Sequence, residues 1–312
     1  MDQLLKDAEK IKSLEIQGAT NVAMNAIDFL SNYAKRLKYN EIDSCLDELY
    51  KARDILMDTR PTEPAMRNGL KYIMGKLEKK KHDCSLEDIP EKIETYKNEY
   101  HELLLNSKKK IAEIGARRIP EADKQFVVMT HCHSTLVIAI LLEAKRQGKN
   151  FKVINTETQP RLQGRKTARK LLEADIEVIH VVDSAMRWAI KHFQVDLILI
   201  GADSITSEGT VLNKIGSRLL ALVAHEENIP FYVASPLLKY NPETNLGTLE
   251  KIEMRDAKEI WENPPKGRLQ ILNPAFETIR RRYIDGLITE AGIFASSHVP
   301  NYFAKLYPEM VE

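Results

Sequence analysis

Cysteine is scarce in this 312-residue chain, which holds only Cys45, Cys84 and Cys132. Odd in number and widely spaced, they give no disulfide framework and suit a reducing compartment. A surplus of charge is missing too. The 46 basic and 45 acidic residues leave a formal net charge of +1, so no global field recruits nucleic acid or an anionic membrane, and any anion must be bound locally. No apolar run approaches membrane-spanning length. The opening MDQLLKDAEKIKSLEI puts charge into every turn where a signal peptide would build an apolar core. Neither G-x-G-x-x-G nor the phosphate-loop pattern occurs, which argues against a classical dinucleotide enzyme. Repeats and low-complexity tracts are absent. The expectation is a soluble cytoplasmic protein that binds neither nucleic acid nor membrane.

With 43% hydrophobic and 29% charged residues, the composition is that of an ordinary globular protein, and the length is about two domains' worth. Over the first hundred residues apolar positions recur at helical spacing: Leu4, Leu5, Ala8 and Ile11, then Val22, Ala23, Ala26, Ile27 and Leu30. Thr20 is the expected cap of the second helix, with Gly18 as the breaker before it, and residues 89–114 read as one long helix. From about Ile119 the pattern changes to short apolar runs between helical segments, at 126–129, 151–154, 178–182, 197–200 and 231–234. Runs that are apolar without alternation suit a parallel sheet covered on both faces. The fold class is therefore α/β, with a helical domain at 1–115 and an open parallel α/β domain at 116–312.

In such sheets ligands bind past the carboxyl ends of the strands, and the residues that follow the runs here are chemical. Thr130-His131-Cys132-His133-Ser134-Thr135 follows the first run and Thr156-Glu157-Thr158-Gln159-Pro160-Arg161 the second. Gly201-Ala202-Asp203-Ser204 follows 197–200, with Asn213-Lys214-Ile215-Gly216 beyond it, and Lys239 follows 231–234. Four loops on one sheet edge would converge on a common crevice. Each residue also has an ordinary reading. A lone cysteine ending a strand is usually inert and buried, an aspartate there usually caps a turn or helix, and a lysine is often solvated loop charge. Zinc on His131, Cys132 and His133 would need three or four converging ligands, whereas alternation along a strand turns both histidines away from the cysteine. No metal is expected.

These segments together resemble one superfamily, the one that unites ribose-1,5-bisphosphate isomerases, methylthioribose-1-phosphate isomerases and the regulatory subunits of translation initiation factor two-B. The markers are Glu15-Ile16-Gln17-Gly18-Ala19, Thr59-Arg60-Pro61-Thr62, the Cys132 segment, Thr156-Glu157-Thr158-Gln159-Pro160, Gly201-Ala202-Asp203-Ser204-Ile205-Thr206, Asn213-Lys214-Ile215-Gly216 and Asn273-Pro274-Ala275-Phe276. The resemblance implies a helical amino-terminal domain followed by a Rossmann-like one. It places Cys132 and Asp203 on the two catalytic positions, which the regulatory subunits usually lack in whole or part. The string Thr-His-Cys-His-Ser looks more like the ribose bisphosphate enzymes than the methylthioribose ones. Gln17, Gly18, Ala19, Thr20, Arg60, Ser134, Thr135, Leu136, Asn213, Lys214 and Lys239 fall on substrate-binding positions. The resemblance further implies a sugar phosphate substrate, a role in nucleoside monophosphate breakdown, no cofactor, a nucleotide activator such as AMP, and a homo-oligomer, dimer or hexamer. An isomerase for another anomeric phosphate and a non-enzymatic regulatory subunit are the alternatives. Two departures stand out. Gln17 replaces the arginine usual before Gly-Ala, removing a bidentate phosphate ligand, and Glu277-Thr278-Ile279 follows Phe276 where an aspartate and soon a proline are typical.

The implied chemistry explains the residue types. A phosphate on the anomeric oxygen locks the sugar as a ring, so ring opening needs an acid and removal of the proton on the second carbon needs a base. As that acid, Asp203 must stay protonated at neutral pH, which desolvation beside the run 197–200 would favour. As the base, Cys132 should have its pKa lowered from about 8.5, aided by a helix starting near Ser134. Two phosphates need two anion cradles, expected at Gly18 to Thr20 with Arg60, and at Ser134, Thr135 and Lys214.

Overall fold

The computed structural model describes residues 1–38, 41–247 and 252–310. The chain forms two compact units. One comprises Met1–Asn106, Leu238–Tyr240 and Asn301–Glu312, the other Ser107–Leu237 and Asn241–Pro300. Where the sequence reading drew a single boundary near residue 115, the helical unit thus also takes in two short later segments. The physical reason lies in long-range bonds. Buried Asn68 donates from its side chain to the carbonyls of Leu238 and Tyr240, each at 2.9 Å, and Tyr240 packs edge-on against Phe303 at 5.0 Å.

The helical unit is built from α1 (Asp2–Lys12), α2 (Ala19–Ala34), α3 (Ile42–Met57), α4 (Pro64–Lys79) and the start of α5 (Ile89–Ala116). Their apolar stripes supply its core: Leu4, Ala8 and Ile11 from α1, and Val22, Ala23, Ala26, Ile27 and Leu30 from α2, are all buried. Each fully buried Leu or Ile contributes about 1.5–3 kcal/mol. The start of α2 corrects one expectation. Gly18, at φ 88°, is the N-cap, no side chain caps the helix, and Thr20 lies inside the first turn. A glycine that can adopt this conformation ends the preceding segment abruptly, so Thr20 enters the helix one turn position too late to cap it.

In the second unit, strands and helices alternate: β1 (Phe126–Thr130), α6 (Thr135–Arg146), β2 (Phe151–Thr156), α7 (Gln163–Leu172), β3 (Val178–Val181), α8 (Met186–Phe193) and β4 (Leu197–Gly201). Then come β5 (Ser204–Ile205), β6 (Val211–Lys214), α9 (Ser217–Glu226), β7 (Phe231–Ala234), β8 (Phe276–Ile279), β9 (Gly286–Thr289) and β10 (Gly292–Phe294), and the chain goes on to α10 (Val299–Leu306), most of which belongs to the helical unit. Seven strands form the main sheet in the order β10-β9-β7-β4-β1-β2-β3. All neighbours are parallel except β10 against β9. Val128, Val153, Leu197 and Leu199 are buried in this sheet against Leu136, Val137, Ile140 and Leu141 of α6, which is why these strands read as unbroken apolar runs. β5, β6 and β8 make a separate antiparallel sheet.

β1 pairs with β2 on one side and with β4 on the other. Chain direction across the sheet reverses there, and such a switch point opens a crevice past the carboxyl ends of its two strands. Among the described residues no helix is long and apolar enough to cross a membrane.

Candidate active site

Cys132 follows β1 in a short loop and has φ 69°, in the left-handed region. For a residue with a Cβ this conformation costs about 1–3 kcal/mol and persists only where the surroundings enforce it. They do so at both ends of the residue. The Cys132 amide donates to Thr158 Oγ1 at 2.9 Å, and its carbonyl accepts from Thr167 Oγ1 at 2.8 Å. Thr158, itself at φ 61°, is held in turn by Asp183, whose carboxylate accepts from the amides of Thr158 at 2.8 Å and Gln159 at 2.7 Å. The thiol points to Gln163 Oε1, 3.6 Å away, at the start of α7.

Ser134 caps α6, its Oγ accepting from the Val137 amide at 3.4 Å. The helix start comes close to the end of β4. A Cβ on Gly201 would lie 2.6 Å from Ser134 Oγ, so only glycine lets the two central strands present their ends side by side. Thr135 is exposed at this helix start and Leu136 is buried.

The histidines are turned away from the thiol by their own hydrogen bonds. All three residues come after the strand, so alternation does not govern them. His131 is buried, with Nε2 2.8 Å from the Ile215 carbonyl and Nδ1 2.6 Å from Thr156 Oγ1. A carbonyl only accepts, so Nε2 carries the proton and Nδ1 receives the Thr156 hydroxyl. Burial pushes the His131 pKa below its ordinary value, against the upward pull of the Ile215 bond and of Asp183. Gly216, at φ 100°, makes room for this ring, since a Cβ there would meet Cε1 and Nε2 at 2.8 Å. His133 Nδ1 lies 3.1 Å from Thr167 Oγ1. Among the described residues no group of three or more His, Cys, Asp or Glu is arranged to hold a metal ion.

Asp203 comes directly after β4 and Ala202, half-buried, its amide bonded to the Leu212 carbonyl at 2.8 Å. Among the described residues its carboxylate makes no hydrogen bond or ion pair, so it caps nothing. Lys214 ends β6, nearly buried, with its ammonium 4.9 Å from the centre of the Phe276 ring and no carboxylate within ion-pair distance among the described residues. Asn213, beside it, is buried and donates to Ser217 Oγ at 2.9 Å.

These charges act on Cys132. Burial pushes its thiol up to about 11; Lys214 and the His133 amide oppose this, while Asp203 and Asp183 add to it. The sequence expectation of a depressed thiol pKa is therefore reversed. The cost of burying a thiolate exceeds what one cation and one amide return.

The departure at Glu277 also acquires a role. Its Oε1 accepts from the amides of Gly216 at 2.5 Å and Arg218 at 3.1 Å. A carboxylate of the protein thus fills the start of α9.

Cys132, Ser134, Thr135, Leu136, Asp203, Asn213 and Lys214 are brought together in the second unit. The remaining candidates belong to the helical unit. There Gln17 Nε2 donates to the Leu14 carbonyl at 2.6 Å, Gly18 precedes buried Ala19 and half-buried Thr20, and buried Arg60 donates to Glu63 Oε1 at 3.2 Å. Lys239 ends the turn Leu237–Lys239 and is half-buried. Sequence reasoning passed over Gln163, Thr167 and Asp183, and it named Thr158 only within its segment, with no role of its own. Asp183 was findable, since it follows the apolar run 178–182 immediately, closer than Asp203 follows 197–200.

A family model described as the initiation factor 2 subunit family matches residues 15–296. The chain belongs to that family. Within it, the chain is similar to ribose 1,5-bisphosphate isomerase of Thermococcus kodakarensis, at 40% identity over 97% of this chain and 92% of that one. Among solved structures it is similar to translation initiation factor eIF-2B of Pyrococcus horikoshii, with a TM-score of 0.78 and 28% identity over 95% of this chain and 98% of that chain. It is also similar to 5-methylthioribose 1-phosphate isomerase of Pyrococcus horikoshii, with a TM-score of 0.78 and 25% identity over 97% of this chain and 88% of that chain. The helical region followed by a mostly parallel α/β sheet is the architecture these family members share.

Proposed function

We propose that the chain is an aldose–ketose isomerase that converts ribose 1,5-bisphosphate to ribulose 1,5-bisphosphate, with Cys132 as base and Asp203 as acid. The observation that carries this reading is the pairing of an enforced thiol past β1 with an unpartnered carboxylate past β4, on the two strands of the switch point. The similarity to ribose 1,5-bisphosphate isomerases supports the choice of substrate. Asp203 protonates the ring oxygen as the ring carbon–oxygen bond breaks. Cys132 removes the proton on the second carbon, and the resulting enol takes a proton at the first carbon from the thiol while its hydroxyl gives one back to the Asp203 carboxylate, which leaves the ketone and restores acid and base. A thiol held high is scarce as thiolate but a strong base once ionised, which suits a carbon acid.

Lys214, with no carboxylate partner, serves one phosphate together with Asn213 and the α6 start at Ser134, Thr135 and Leu136. Gln17, Gly18, Ala19, Thr20, Arg60 and Lys239 are the substrate-binding candidates of the helical unit. The reading carries with it the degradation of nucleoside monophosphates, activation by a nucleotide such as AMP, a cytoplasmic setting and a homo-oligomer; light scattering that gives a monomer at working concentration would contradict the last. Lys239→Ala is expected to weaken substrate binding by about one to two orders of magnitude, the worth of a charge-assisted hydrogen bond at about 1.5–3 kcal/mol. Unchanged affinity in titration calorimetry would make Lys239 surface charge. Ribose 1,5-bisphosphate and methylthioribose 1-phosphate offered separately in a coupled assay test the substrate. Turnover of the first is expected, and turnover of the second alone would move the assignment to the monophosphate.

A further inference from the structure

We propose that Thr158 and Thr167 are positioning residues that clamp Cys132 between them, fixing the direction of its thiol. The inference rests on the reading of Cys132 as the base. Neither hydroxyl faces the reacting atoms; each binds the backbone of the residue that carries the sulfur. Thr158 Oγ1 accepts the Cys132 amide at 2.9 Å and Thr167 Oγ1 donates to the Cys132 carbonyl at 2.8 Å. Both threonines are buried, at 0% and 1% exposure, so water cannot replace either hydroxyl without rearrangement.

The two bonds come from opposite sides. Thr158 belongs to the loop after β2, anchored by the Asp183 carboxylate through two amides, while Thr167 sits on α7. Between them Cys132 keeps φ 69°, a conformation that a cysteine leaves readily once nothing enforces it. Gln163, on the same helix as Thr167, receives the thiol at 3.6 Å. The anchored loop and α7 therefore fix both the backbone and the sulfur. Relaxation to an ordinary φ would swing Sγ out of this position toward solvent, with two consequences. Proton abstraction suffers, because about 1 Å of misplacement can cost 100-fold in rate. The thiol also escapes the burial that holds its pKa near 11.

Thr158→Val removes the acceptor and keeps the shape, and Thr167→Val removes the donor on the other side. Each is expected to lower kcat at least about 10-fold with KM within about 3-fold, the mark of a lost transition-state contribution rather than lost binding. Thr158→Ser, which retains the hydroxyl, should restore kcat. Independently of turnover, iodoacetamide labelling of Cys132, followed on its peptide by mass spectrometry to separate it from Cys45 and Cys84, should have its pH midpoint fall by one unit or more in Thr158→Val. Labelling at pH 8 should then rise at least about 10-fold. A purely structural threonine would lower the melting temperature without this shift. If folded Thr158→Val and Thr167→Val keep both kcat and the labelling profile of the wild type, the clamp is wrong. A shifted labelling profile with unchanged kcat would support the clamp and overturn instead the assignment of Cys132 as base.

Discussion

Cys132→Ser and Asp203→Asn are each expected to lower turnover of ribose 1,5-bisphosphate by at least ~100-fold, the usual scale for loss of a general base or acid. Neither change should disturb the fold. Serine fills nearly the volume of cysteine, and the bonds that hold residue 132 run through its main chain. The Asp203 carboxylate makes no hydrogen bond or ion pair among the described residues, so asparagine there leaves no broken partner. The variants should therefore melt within a few degrees of the wild type while kcat collapses. Near-normal turnover in either would remove that residue from the chemistry.

In Asp203→Asn the pH dependence of the residual activity should expose the thiol by itself. With Asp203 gone, the profile no longer carries the loss of that acid's proton at higher pH, and the ionised fraction of Cys132, which rises about tenfold per pH unit below its pKa, gives the profile its slope. Because burial is the largest cause of the raised thiol and loss of the Asp203 charge relieves it only in part, residual turnover is expected to climb steadily, by up to about 100-fold, from pH 7 to pH 9. The sign follows from the direction of the shift: a raised thiol pKa leaves the neutral form dominant across this range, so every step upward adds base. Lys214→Met in the same background should depress the whole curve, since Lys214 contributes most to holding the thiol down. A curve level from pH 7 to pH 9 would mean that the thiol is already ionised or is not the base.

The main sheet was legible because its central strands are buried on both faces, which leaves uninterrupted apolar runs such as 126–129 and 197–200. Strand ends then gave the positions of Cys132 and Asp203, since the switch-point rule needs only the strands. Other features were hidden because they depend on distant residues. The cap of α2 fell to Gly18 through its backbone conformation, which a side-chain preference at Thr20 does not reveal. Leu238–Tyr240 joins the helical unit through Asn68, about 170 residues earlier in the chain. The left-handed backbone of Cys132 carries no local signal, because its restraints come from Thr158 and Thr167 in the next strand-to-helix segment. The thiol was expected to be acidic from the nearby helix start, and packing reversed that, since local dipoles are visible in sequence and burial is not.

The proton path is open to direct observation. Ribose 1,5-bisphosphate is incubated with the protein in deuterium oxide and the products are followed by proton and deuterium NMR. If Cys132 removes the proton on the second carbon and an enol is then protonated at the first, ribulose 1,5-bisphosphate should appear with deuterium at its first carbon, because the thiol exchanges its proton with solvent. Absence of the ketose, or a ketose without deuterium at that carbon that Cys132→Ser forms as fast as the wild type, would contradict enolisation by Cys132.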